Sequence, residues 1–230
     1  MNAAAGSKWA DLAVRTASAV ALVPLVLAVT WWGGTAFNIF ALLLGAAMAY
    51  EWFKISRLLP SLLWQLLGIP YVVLSVAALI ALRNDAQFGL QAVLWCMGCV
   101  WSADVLAYFS GRIVGGPKLV PMISPKKTWA GLGGAVFGSL VASIIFSLLT
   151  HRSLWPLAGF AALLGIVEQM GDIFESMFKR RFGVKDSGRI IPGHGGVLDR
   201  VDGLVAAFMA AAAIGYLHNP SSISGGLLQW

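Results

Sequence analysis

The sequence is poor in charge, in cysteine and in histidine, and each shortage removes a class of protein. Only 11% of its 230 residues are charged, against 59% hydrophobic residues and a mean hydropathy of +0.80. Soluble domains carry about 25% charged residues, so this composition excludes a soluble fold and indicates a polytopic membrane protein. Two cysteines, Cys96 and Cys99, cannot build a disulfide framework. Three apart in an apolar stretch, they read as small hydrophobes rather than a redox or metal pair. The three histidines are dispersed and offer no zinc spacing. No polar stretch is long enough for a separate soluble domain, so residues 1–230 read as a single membrane domain.

What is present is a series of apolar runs. A spanning helix needs roughly 20 mostly apolar residues, and the hydropathy pattern predicts an all-α chain with seven spans at 14–32, 35–53, 61–82, 88–110, 129–150, 154–176 and 201–218. The first two, joined at Gly33 and Gly34, read as a hairpin that stays in the membrane rather than a cleavable leader. If the spans alternate, Lys8, Arg15, Lys54, Arg57, Arg112, Lys118, Lys126, Lys127, Lys179, Arg180, Arg181, Lys185, Arg189 and Arg200 share one side, and only Arg83 and Arg152 take the other. Basic loops stay in the cytoplasm, which places the N-terminus inside and the uncharged tail from Asn219 to Trp230 outside. The net charge of +6 is then topological and gives no reason to expect nucleic acid. Trp9, Trp31, Trp32, Trp52 and Trp155 lie near span ends and fit an interfacial belt.

With only ten acidic residues, position carries information. Asp11, Glu51 and Asp85 fall near span ends or in loops and read as solvated charge. Asp104, Glu168, Asp172, Glu175, Asp186, Asp199 and Asp202 cluster in or beside three stretches that meet the cytoplasmic side, and ionisable groups at membrane depth mark a site. Glu168, Asp172 and Glu175 follow i, i+4, i+7 spacing on one helical face. Three carboxylates on one face require a cation, either a metal or Lys and Arg from the adjoining loops. Asp199 and Asp202 form a second acidic pair, and oxygen-only ligands suit magnesium.

Two loops complement the acids. Ser124-Pro125-Lys126-Lys127-Thr128 sets hydroxyls and ammonium groups just before a helix, an arrangement that can hold phosphates, although a basic loop of this kind is also a common topological anchor. The second, Ser176 to Val201, gathers Lys179, Arg180, Arg181, Lys185, Asp186, Arg189, His194 and Arg200 among six glycine and proline positions that permit tight turns. Acids, bases and glycines together point to a metal-held polyphosphate, as phosphoryl or nucleotidyl transfer requires.

These residues carry a resemblance. Ser176-x-Phe178-Lys179-Arg180, Lys185-Asp186-x-Gly188 and Ile191-Pro192-x-His194-Gly195-Gly196-Val197-x-Asp199-Arg200-Val201-Asp202 resemble the signature of the phosphatidate cytidylyltransferases over 27 residues. Trp101-Ser102-Ala103-Asp104-x-x-Ala107-Tyr108-x-x-Gly111-Arg112 and Ser124-Pro125-Lys126-Lys127-Thr128-Trp129 are similar to further family segments. The likeness covers the C-terminal 130 residues firmly and makes 88–218 the candidate catalytic helices and loops, with 14–82 as N-terminal helices.

The resemblance implies an enzyme of a bacterial-type inner membrane that joins CTP to phosphatidic acid on the cytoplasmic side, giving CDP-diacylglycerol and pyrophosphate. It also implies magnesium, with potassium as a companion ion, and a homodimer among membrane lipids. Carried over by position, Asp172 and Asp199 hold metal, with Asp202 third. Lys185 and Asp186 complete the candidate catalytic set. Ser124, Lys126, Lys127, Thr128, Asp104, Lys179, Arg180, Arg189, His194 and Arg200 are the candidate substrate contacts. The attacking phosphate is already an anion, so no strong base is needed, and His194 reads as stabilising a turn. Ala130 stands where the family commonly has Glu, and the chain is short for the family; both departures bear on rate and lipid acceptor more than on reaction type. The competing readings are a CTP-dependent lipid kinase of the polyprenol type and a non-enzymatic membrane paralogue.

Overall fold

The computed structural model describes residues 3–230, and their side chains at 16, 18 and from 20 onward. The side chains of Lys8, Trp9, Asp11 and Arg15 therefore lie outside the described residues. In hydrocarbon, backbone polar groups must be satisfied within their own segment, which makes each apolar run a helix. The chain forms α1 (Ala3–Trp32), α2 (Gly34–Ser56), α3 (Leu62–Arg83), α4 (Gly89–Ile113), α5 (Trp129–Thr150), α6 (Leu154–Arg181), α7 (Leu198–His218) and a short α8 (Ile223–Leu228). Six of these, α2 to α7, are long and apolar enough to cross a membrane. The first expected span falls within α1, whose apolar portion among the described residues is Val20–Trp32.

Three segments depart from expectation. The 111–128 loop contains an antiparallel hairpin of β1 (Lys118–Val120) and β2 (Ser124–Thr128), with Lys118 opposite Thr128 and Val120 opposite Ser124. Thr128 ends it by capping α5, its Oγ1 accepting the Gly131 N–H at 3.0 Å. The tail is not free: α8 packs on α7, with Leu227 fully buried and Ser224 Oγ donating to the Leu82 carbonyl at 2.6 Å. Helix α2 continues to Ser56, which carries Glu51 and Trp52 inside the protein, both at 0% exposure. They were expected to be a solvated charge and an interfacial aromatic.

Helices in lipid associate through close packing rather than a hydrophobic drive. A Cβ at Gly138 of α5 would strike the Ser102 backbone of α4, so glycine here permits the helices' near approach. Leu42, Leu43, Val73, Leu74, Leu148 and Leu149 point outward, as a lipid-facing surface requires. One buried cluster joins α2, α3, α4, α6, α7 and α8 through Phe37, Leu82, Trp95, Leu164, Phe208 and Leu227. A second sits beside the loops, where Trp52 of α2 stacks on Phe178 of α6 at 3.9 Å between ring centroids and 7° between planes. Trp52 Nε1 also donates to the Trp64 carbonyl at 2.7 Å. This aromatic block fixes the N-terminal helices against the acidic face of α6.

Candidate active site

Helix α6 turns Glu168, Asp172, Glu175 and Lys179 toward α4, α7 and β2. Glu168 and Glu175 are buried, whereas the Asp172 side chain is 33% exposed. From α4, Asp104 lies beside Glu168. From α7, Asp202 lies beside Glu175. Each carboxyl pair requires a shared proton or a cation.

Two lysines divide this cluster. Lys127 of β2 lies 2.6 Å from Asp172 Oδ2 and donates to Gln169 Oε1 at 2.9 Å, while Gln169 Nε2 donates to Glu168 at 2.9 Å. Lys179 lies 2.9 Å from Glu175 Oε2 and 2.6 Å from Asp199 Oδ1. Asp199 is held further by its other oxygen, which accepts the Ser187 and Gly196 N–H groups, each at 2.9 Å. Asp172 accepts Ser176 Oγ at 3.2 Å, and Asp202 accepts the Gly203 N–H at 2.8 Å.

The predicted residues are thus brought to one region with unequal freedom. Lys127 and Lys179, expected to contact substrate, serve as internal counter-charges, and Thr128 serves as a helix cap. Lys126, Lys185, Asp186 and Arg189 are exposed, and Ser124 is half-buried on β2. Arg180 is exposed and donates to the Val184 carbonyl at 3.0 Å; Arg200 is exposed and donates to the His194 carbonyl at 3.0 Å. The His194 ring does not hold the turn as expected. Its main-chain N–H does, donating to the Ile191 carbonyl at 3.0 Å, while the buried Nδ1 has no partner among the described residues.

Asp172, Asp199 and Asp202 are not gathered as a ready-formed ligand set: no three acidic, His or Cys side chains among the described residues converge as a metal site. The physical reason is that Asp199 is fully engaged by Lys179 and the loop backbone. The donor chemistry nevertheless fits a hard cation. Together, Asp104, Glu168, Asp172, Glu175, Asp199 and Asp202 receive ion pairs from Lys127 and Lys179 among the described residues. Glu175 Oε1 and Tyr71 Oη, the latter brought by α3 toward the same cluster, are buried without hydrogen-bond partners among the described residues. Excess anion and orphaned oxygens suit magnesium among oxygen ligands.

Sequence reasoning missed Glu51, Tyr71 and Gln169. Glu51 had a legible signal, a carboxylate within an apolar run, but the predicted span ended too early to bury it. Tyr71 and Gln169 carried no charge to single them out. An apolar cavity of about 800 Å³ lies between α1, α2, α4 and α7. Its one end carries Pro192, His194 and Arg200, and its other end Thr30 and Phe37.

The fold and this site define a multi-pass membrane protein with an acid-rich, lysine-paired site beside an apolar cavity. Residues 58–218 match the cytidylyltransferase family, and the chain belongs to that family. It is similar to the phosphatidate cytidylyltransferase of Brucella abortus (strain 2308), with 37% identity, 90% of this chain and 93% of that protein covered. Proteins of the same name from Rickettsia bellii (strain RML369-C) and Rickettsia conorii (strain ATCC VR-613 / Malish 7) are 34% and 35% identical, each with 85% of this chain and 87% of the relative covered. The Brucella alignment runs to 254 positions, more than this chain's 230 residues, so that relative carries residues this chain lacks.

Proposed function

We propose that this protein is a phosphatidate cytidylyltransferase of a bacterial inner membrane, joining CTP to phosphatidic acid on the cytoplasmic side and working as a homodimer. The observation that carries the reading is an apolar cavity lined at His194, Arg200 and Val201, the last two of which separate Asp199 from Asp202 in the chain. A substrate with a phosphate head and two acyl chains fits such a boundary: the chains enter the cavity, and the phosphate rests against the Arg200 guanidinium and the unpartnered His194 ring.

The triphosphate of CTP is held from the loop side by the exposed Lys126, Lys185 and Arg189, with Ser124 and Arg180 at the edge of that surface. Asp172, Asp202 and Asp199 would hold magnesium, with potassium as a companion ion, and the metal would supply charge neutralisation of the phosphate oxygens. A lipid phosphate oxygen attacks the α-phosphorus in line, the α–β bridging bond breaks, and pyrophosphate leaves. The nucleophile is already ionised, so the protein's task is orientation and charge stabilisation. Asp104 and Asp186 shape the acidic margins.

Isotope position tests this reading. With purified protein, phosphatidic acid and magnesium, label at the α-phosphorus of CTP should enter the lipid fraction, and label at the γ-position should leave as pyrophosphate; EDTA should abolish transfer. Transfer of γ-label would assign a lipid kinase, and no transfer of either label by folded protein would assign a non-enzymatic role.

A further inference from the structure

Glu51 lies in α2, outside every motif that carries the chemistry, yet it makes the most direct connection between the N-terminal helices and the signature loop. Its carboxylate is fully buried and receives three hydrogen bonds from residues 187–198: Ser187 Oγ at 2.9 Å, the Val197 N–H at 3.0 Å and the Leu198 N–H at 2.9 Å. The last two are N–H groups at the start of α7, which no preceding helical turn can satisfy and which favour an anion. Charge-assisted bonds of this kind are short and directional, so the carboxylate fixes both the position and the tilt of the first turn of α7.

Glu51 and Asp199 hold the loop together. Ser187 gives its hydroxyl to Glu51 and its main-chain N–H to Asp199, while Gly196 donates to Asp199 and the next two residues donate to Glu51. The loop is wound between the two carboxylates. The glycine pattern agrees independently. A Cβ at Gly188 would collide with the Glu51 carboxyl, whose atoms are its three nearest neighbours, and one at Gly196 would meet Ser187 and Glu51. Two signature glycines are therefore required by a residue far outside the signature.

We propose that Glu51 is a positioning residue of the cytidylyl-transfer site: by seating residues 187–198 on α2 it sets the place of Asp199, Arg200 and Asp202 without touching substrate. The proposal rests on the transfer reading for its kinetic part and on geometry alone for its loop part. Glu51→Gln keeps the size of the side chain, but its amide can accept at only one oxygen and sets a donor against a donor at Val197 or Leu198. Misplacement by about 1 Å costs on the order of 100-fold in rate.

The test has three readouts on full-length protein in detergent. Glu51→Gln should lower kcat per folded molecule about 100-fold while the KM for phosphatidic acid stays within about threefold, because positioning acts on the transition state. Trypsin should cut at Lys185 and Arg189 faster in Glu51→Gln than in native protein, which reads loop seating without reference to any reaction. Gly188→Ala should lower kcat at least tenfold in the native background but less than twofold in Glu51→Ala, since its collision partner is gone. A purely structural Glu51 would lower the folded yield and leave kcat per folded molecule unchanged; that result, or unaltered tryptic protection, or equal Gly188→Ala effects in both backgrounds, overturns the proposal. If native protein transfers no label, the transfer reading falls, and the tryptic readout alone decides whether Glu51 seats the loop.

Discussion

At the end of the bundle that carries Arg83, Asp85 and Arg152, the charged side chains serve the fold. Arg83 donates to the Thr30 and Trp31 carbonyls at 2.6 and 3.0 Å, closing the C-terminus of α1. Arg152 donates to Gln91 at 2.7 Å and to the Leu228 carbonyl at 3.3 Å. Asp85 accepts the Phe88 and Gln87 N–H groups at 2.9 and 3.1 Å and the Ser222 hydroxyl. At the other end, six carboxyls share few cations and leave buried oxygens without partners. A charge engaged with backbone groups is structural; an excess of one sign at membrane depth is kept for a ligand.

The comparison breaks outright if the two ends do not lie on opposite sides of a membrane. Cys96 and Cys99 are buried, so single cysteines can be added to the native chain. An impermeant thiol reagent applied to intact cells should label Ala86→Cys fully and leave Lys118→Cys unlabelled, with the reverse in inverted vesicles. Position 86 is preferred to Arg83, whose substitution would uncap α1. Labelling of both from one side removes the alternating arrangement and the cytoplasmic site.

Within the acid-rich end, Asp172→Asn and Asp199→Asn should each lower turnover about 100-fold or more, as loss of a metal-held transition-state contact does. They should differ in stability. Asp172 is partly exposed, and its substitution should leave the melting temperature in detergent nearly unchanged. Asp199→Asn leaves buried Lys179 with Glu175 as its one charged partner and weakens the charge-assisted bonds that hold the loop, a loss of about 2 kcal/mol and about 4–8 °C. Equal melting temperatures would show that Asp199 does not hold the loop in solution.

The contrast also separates what could be read from the sequence from what could not. Membrane helices were legible because one constraint, internal backbone satisfaction, governs every span; α5 begins and ends at the predicted 129 and 150. The family was legible because the residue types and spacing of 176–202 are specific. Glu51 and Trp52 were misread for a local reason, a span end placed a turn too early. The internal partners of Lys127 and Lys179 were not legible, because composition reveals that cations are present but not which anion each will meet. The β1–β2 hairpin leaves no alternating apolar pattern in Lys118–Val120 or Ser124–Thr128, and its pairing followed from closure between α4 and α5.

The smallest effect belongs to Asp85, which the sequence had placed in solvent. Burial pushes its carboxyl up, but the hydrogen bonds from Ser222 and from the Phe88, Gln87 and Gly225 N–H groups outweigh that and hold it below its ordinary value of 3.8. A depressed folded value means that the ionised form stabilises the native state at all pH above the unfolded value. That contribution fades as pH falls through the lower folded value. In Asp85→Asn the amide oxygen can still accept the turn's N–H groups, and its NH2 can donate to Ser222 Oγ, so less than about 1 kcal/mol is lost at neutral pH. Turnover should be unchanged. Melting curves of native and Asp85→Asn protein should differ slightly and by a constant amount above about pH 5, then converge below the ordinary aspartate value. A large loss of activity in Asp85→Asn would show that charge at this end also serves the reaction, and the distinction between the two ends would fail.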